Sequence, residues 1–127
     1  MDAGREAVAK IDYGPVHSEL DVEEGRVLDA LGQLDEAARA FEAALESAGR
    51  SEQWRLMAIA ATRLVFVVGY RQQNPSEGLR YAAVARGLVR TPAQEGTLHS
   101  ALSAVRAAQG EYEAGVAEAR KAVASWE

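Results

Sequence analysis

Gly32-Gln33-Leu34-Asp35-Glu36-Ala37-Ala38-Arg39-Ala40-Phe41-Glu42-Ala43-Ala44-Leu45 reads as a tight turn running into an amphipathic helix. Gly32 interrupts the preceding helical pattern, and Asp35 and Glu36 put negative charge in the first turn, where the helix dipole favours it. Ala37, Ala40, Phe41, Ala44 and Leu45 then recur at spacings of three and four, one face of a helix. The arrangement returns twice. Gln73-Asn74-Pro75-Ser76-Glu77-Gly78 leads to Ala82 and Ala85, and Gly110-Glu111-Tyr112-Glu113-Ala114-Gly115 leads to Ala119 and Ala122. Aligned on the turn, the face holds Ala37/Phe41/Ala44, Gly78/Ala82/Ala85 and Gly115/Ala119/Ala122, all small except Phe41. Small facing residues let antiparallel helices approach to about 8–10 Å. The turns are 41 and 37 residues apart, and a period of about 20 to 50 residues marks a helical solenoid.

Working outward, breakers or caps at Gly14-Pro15, Gly32, Gly49-Arg50-Ser51, Asn74-Pro75-Ser76, Thr91-Pro92 and Gly110 divide the chain into helical pieces. The spacing predicts helices over Asp2 to about Asp12, about Pro15 to Leu31, and Asp35 to Ala48. A fourth runs from about Ser51, as N-cap, to Arg71; it is apolar nearly all round in its second half and is expected to be central and buried. The fifth follows Asn74-Pro75, the sixth follows Thr91-Pro92, and the seventh runs from Glu111 to the end. No segment alternates with period two over a strand's length. The expectation is an all-α chain of about seven helices.

Composition narrows the function. The chain has 127 residues, 48% apolar and 26% charged, without the low hydrophobicity of disordered chains. Its 26 alanines and three prolines favour helix. The absence of Cys removes disulfides, thiolate metal sites and thiol nucleophiles. A net charge of −5 disfavours generic nucleic-acid binding. The N-terminus has no apolar signal core, and the most apolar window, Leu64 to Tyr70, is far short of the roughly 20 residues of a membrane span. A cytoplasmic location is therefore expected. Charge is also segregated: residues 1–50 carry −7, residues 51–92 carry +4 from Arg55, Arg63, Arg71, Arg80, Arg86 and Arg90, and residues 93–127 carry −2. Bridging from these arginines to the acidic first third is one reading, and an anion-facing surface is the other.

Gly25 with Leu28, then Gly32, Ala37, Phe41 and Ala44-Leu45 resemble the tetratricopeptide repeat. The middle unit departs from that pattern. Its first helix reads about two turns too long, Phe66 stands where a small residue is expected, and Ala82 replaces the aromatic. The resemblance implies a right-handed α-α superhelix: a half-repeat helix over 1–14, then helix pairs over 15–50, 51–91 and 92–127. A narrower resemblance rests on Trp54-Arg55, Arg63-Leu64-Val65-Phe66-Val67-Val68-Gly69-Tyr70 and Glu77-Gly78-Leu79-Arg80-Tyr81-Ala82. This string is similar to the repeat region that follows the kinase domain in large bacterial (myxobacterial-type) serine/threonine protein kinases. It implies a non-catalytic interaction domain, a piece of a longer signalling protein, that binds a peptide or partner protein. The alternatives are a structural spacer or dimerisation segment, and a ligand-sensing repeat domain of a transcription regulator.

The residues carry no catalytic constellation. Asp12-Tyr13-Gly14 looks like the metal-binding Asp-aromatic-Gly of kinases but lacks the rest of that machinery. His17 and His99 lie far apart with no ligand spacing, so no metal or other cofactor is expected. The family's concave surface is lined by the first helix of each pair. By helical phase that stripe is Glu19, Val22, Glu23, Arg26 and Asp29 in the first pair, and Arg63, Val67, Tyr70 and Arg71 in the second. In the third it is Thr97, Ser100, Ala101, Ala104 and Ala108. The candidate peptide-binding residues are Glu23, Arg26, Arg63, Val67, Tyr70, Arg71, Thr97 and Ser100, with packing of Val67 and Tyr70 in the long helix as the competing reading. Val22, Arg26 and Ala101 occupy the slots where tetratricopeptide chaperone adaptors clamp a C-terminal carboxylate, which disfavours that client. In the last helix Tyr112, Val116, Ala119, Val123 and Trp126 form an apolar stripe. Tyr112, Val116, Val123 and Trp126 are the candidate self-association residues, implying a homodimer through the C-terminal helix.

Overall fold

The computed structural model describes residues 14–126, and among them the chain is all-helical, with no strand. The helices are α1 (Gly14–Ala30), α2 (Leu34–Arg50), α3 (Trp54–Leu64, continuing as a π-helical segment over Val65–Arg71), α4 (Pro75–Leu88), α5 (Pro92–Ala108) and α6 (Tyr112–Trp126). Six of the seven expected helices fall here; the one read over Asp2 to Asp12 lies outside the described residues. Consecutive helices pack against one another. The first helices of successive pairs also touch, α1 against α3 and α3 against α5, whereas no comparably extensive contact joins α2 to α4 or α4 to α6.

Local chemistry explains the boundaries. Asn74 caps α4 by accepting from the Glu77 N–H, with Pro75 in the first turn. Thr91 and Gln94 form a reciprocal capping box that opens α5. Ser51 does not cap α3. Its N–H donates back to Ser47 at 3.2 Å, Glu52 takes a positive φ of 55°, and the Gln53 N–H reaches the Ala48 carbonyl at 2.9 Å, so Ser51 to Gln53 close α2 instead. That correction also removes the excess length of the middle pair. Its first helix has 11 α-helical and seven π-helical residues, against 17 in each of α1 and α5.

The π segment replaces the mismatch read at Phe66. In the last pair Gly115 lies over Ser103 and Ala107: a Cβ there would sit 3.2 Å from the Ser103 carbonyl and 3.4 Å from the Ala107 nitrogen. In the middle pair Gly78 lies in the same way over Val65 and Gly69, so close to Gly69 that neither position has room for a side chain. Ala107 precedes Gly115 by eight positions, but Gly69 precedes Gly78 by nine. The wider π turns absorb the extra residue. The Gln33 and Glu111 N–H groups reach back five residues, to Leu28 and Arg106, while the Asn74 N–H reaches back six, to Val68. Gly32 and Gly110 close the regular turns at φ of 78° and 79°, and Gln73 takes that role beside the π segment at φ 55°.

The core follows the pairs. Phe41 is fully buried with its ring against Gly25, in a cluster with Ala37, Ala38, Leu64, Val67 and Val68. Val22, Ala44, Ala48, Leu56 and Ala60 form a second cluster. The largest joins α3, α4 and α5 through Val65, Ala82, Ala85, Leu98, Leu102 and Val105.

Candidate functional site

Because α1, α3 and α5 touch in sequence, each contributes side chains to one shared face. The groove on it encloses about 240 Å³ and is lined by Arg26 from α1, Ala58, Ile59, Thr62 and Arg63 from α3, and Ala93, Gln94 and Thr97 from α5. Three of the residues read from helical phase, Arg26, Arg63 and Thr97, are brought together here. Ile59 and Gln94 were missed. The groove crosses α3 and α5 about one turn earlier than the predicted stripe, and the signal was present: Ile59 precedes Arg63 by four and Ala93 precedes Thr97 by four, so each continues the same face.

The electrostatics centre on Arg63. It is half-buried, and among the described residues no carboxylate comes within ion-pair distance of it. Burial holds its pKa below the usual guanidinium range, and Arg26 lowers it further, against the opposing pull of Asp29 and Glu23. Arg26 reaches Glu23 at 3.3 Å, a pair partly open to solvent. Asp29, the nearer-buried acid, is committed elsewhere: Arg71 donates to its Oδ1 at 2.6 Å and to its carbonyl oxygen at 3.3 Å. The Thr97 hydroxyl donates to the Ala93 carbonyl at 3.0 Å, and the Gln94 Oε1 is held by the Arg90 N–H at 2.7 Å. Two guanidinium groups therefore face a groove in which the Thr97 hydroxyl and the Gln94 Oε1 are already tied to backbone.

The remaining predicted residues divide. Val67 is not part of any ligand-facing surface: it is fully buried against Phe41 and Leu64. Val22, Asp29 and Ala101 of the wider stripe are buried as well. The inward set wins because the first helices pack on two sides, against their own partner and against the next pair, which leaves a narrower exposed arc than phase alone suggests. Tyr70 is exposed, its ring 5.2 Å from that of Phe66, and with Arg71 it borders a separate depression of about 710 Å³ that also involves Gln73, Pro75 and Ala108. Glu23 and Ser100 are exposed beside the groove without lining it. On α6, Val116 and Val123 are exposed. Trp126 is exposed along one side while its indole lies against Gly96 of α5, so part of its surface is already covered within the chain. The side chain of Tyr112 lies outside the described residues.

Among the described residues no group of three His, Asp or Glu side chains is placed to hold a metal ion, and no helix is long and apolar enough to cross a membrane. Compared with protein-family models, curated proteins and solved structures, the chain matches none.

Proposed function

We propose that this chain is a non-catalytic protein-interaction module: a tetratricopeptide-like, right-handed stack of helix pairs that takes a peptide or an extended segment of a partner along its α1–α3–α5 face. The observation that carries the reading is the groove built jointly by three successive first helices, with Arg26, Arg63 and Thr97 converging on it. A surface assembled from several repeats is what a solenoid offers an extended ligand. The first helices touch in series more extensively than the second helices, of which α2 and α4 meet through Tyr81, whose hydroxyl donates to Glu42 at 2.7 Å; this supports the first-helix side as the inner one. The likeness of the Arg63–Tyr70 and Glu77–Ala82 strings to kinase-linked repeats supports placing the module in a bacterial serine/threonine kinase signalling protein, in the cytoplasm.

The test is selection from a displayed peptide library with the wild type and with Ile59→Arg, which plugs the groove, using Arg39→Ala on the exposed face of α2 as control. Peptides retained by wild type and control but lost by Ile59→Arg are expected. Identical peptides on all three proteins would overturn the reading. A second reading, self-association, draws on exposed Val116 and Val123 of α6. Sedimentation of Val116→Asp against wild type checks it, and a wild type that stays monomeric at high concentration removes it.

A further inference from the structure

Resting on that reading, we infer that the groove recognises the side-chain carboxylate of an Asp or Glu in the bound peptide, with Arg63 as its principal partner, Arg26 as its second, and Ile59 as the apolar contact for the neighbouring residue. The case starts from an imbalance. Among the described residues, Arg71 is bonded to Asp29, Arg80 to Glu77, Arg106 to Glu111, Arg50 to Glu46 and Arg26 to Glu23, and Arg39, Arg55, Arg86, Arg90 and Arg120, which have no carboxylate partner, are all exposed. Arg63 is half-buried in a groove wall and has no such bond. A guanidinium in that position has lost part of its hydration without gaining a carboxylate, so an arriving anion recovers what burial removed. Half-burial also strengthens the contact, since a partner in the groove meets less screening than at an open surface.

Charge count and shape select the kind of anion. Arg26 is partly balanced by Glu23, and Asp29 and Glu23 both lie close enough to act on Arg63. The groove therefore offers roughly one uncompensated positive charge, which suits a monoanionic carboxylate; a phosphate dianion would meet those same two carboxylates at close range. At about 240 Å³, with Ala58 and Ile59 on its wall, the groove has room for one side chain and its flanking backbone, not for a folded element. Arg63 presents a planar fork for a carboxylate.

The experiment uses the full chain and pools of blocked peptides of about ten residues, N-acetylated and C-amidated, with the central position fixed as Glu, Asp, Gln, Asn or phosphoserine. A further Gln pool carries a free C-terminal carboxylate. Binding is read by fluorescence anisotropy at low and at high salt. The Glu and Asp pools are expected to bind about tenfold more tightly than the Gln and Asn pools, the gap shrinking as salt rises. Arg63→Gln should bring the acidic pools down to the neutral ones without changing the neutral pools, and Arg26→Gln, at a partly exposed position, should narrow the gap in the same direction. An unchanged thermal melt for both variants shows that folding is not the cause. The assignment is overturned if acidic and neutral pools bind alike, if the acidic preference survives Arg63→Gln, or if the phosphoserine or free-carboxylate pool binds best. Binding of neutral pools with no acidic preference would sink this inference alone. A failure of every pool to bind would sink the peptide-binding reading with it.

Discussion

The first helix pair and the last are built on the same turn but joined by different chemistry. In α1–α2, Phe41 is fully buried, its ring fills the space above Gly25, and Ala37, Ala44 and Ala48 complete an apolar seam, with one buried hydroxyl pair, Ser18 to Ser47 at 2.7 Å. In α5–α6, no large α6 side chain is fully buried among the described residues, and Gly115 and Ala122 are its buried contributions. The seam is instead clasped by polar contacts, Ser103 donating to the Gly115 carbonyl at 2.8 Å and His99 Nδ1 meeting Glu118 at 2.7 Å, with the largely exposed Trp126 indole laid over Gly96 at its end. Buried apolar area accounts for most of a helix pair's stability, whereas a polar clasp is worth about 1 kcal/mol net. The shared spacing of small residues sets how closely two helices approach; the residue at the fourth position sets how strongly they hold. Phe41 occupies that position in the first pair and Ala119 in the last.

The largest effect is therefore expected at Phe41. Phe41→Ala removes a fully buried ring from above a glycine that cannot fill the gap, and should destabilise by about 3–5 kcal/mol. Chemical denaturation monitored by circular dichroism checks this. A loss under about 1 kcal/mol would mean that the first pair is not held by its aromatic and that the contrast with the last pair is false.

How much of this was legible differs along the chain for the same reason. The turns at Gly32 and Gly110 and the caps at Asn74 and Thr91 were readable because each is decided within four or five residues. The all-helical fold followed from spacing alone. Three of the eight residues lining the groove were readable, since Arg26, Arg63 and Thr97 lie on the expected faces; Val67 went to the packing side of its two readings because its burial depends on α2, more than 20 residues away. The π segment was the least legible feature. Phe66 looked like a mismatch in the repeat, and nothing local announces that Gly69 will take the small residue's place opposite Gly78. That choice is made by the α4 backbone, which only tertiary packing brings near.

The middle pair stands between these extremes and tests whether close approach alone can hold two helices. A methyl group added at Gly69 would lie 2.7 Å from a Val105 methyl and 3.1 Å from the Gly78 Cα, so backbone as well as side chain must yield. Gly69→Ala should cost about 1–3 kcal/mol by overpacking, despite the better helix propensity of alanine. Gly87→Ala is the matched control, because nothing lies within 4 Å of a Cβ there; it should be neutral or slightly stabilising. If the two variants melt together, the Gly69–Gly78 approach is looser than described, and the π segment loses its explanation.

The smallest effect belongs to the last pair, and it separates local from global stability. Because α6 is joined to α5 by hydrogen bonds, small contacts and a Trp126 indole that lies on Gly96 yet stays 59% exposed, it should open on its own, below the free energy of global unfolding. Its amides are then expected to exchange with solvent faster than those of α2, whose opening exposes Phe41. Ser103→Ala removes one clasp, about 1 kcal/mol, and should quicken exchange in α6 and in the facing turns of α5 while leaving α2 unchanged. Phe41→Ala should do the reverse, quickening α1 and α2 more than α6, because only the apolar seam couples an opening to the rest of the core. Equal protection in α2 and α6 of the wild type would show that the polar clasps hold as firmly as the aromatic one. The contrast between the pairs would then be one of composition without a consequence for stability.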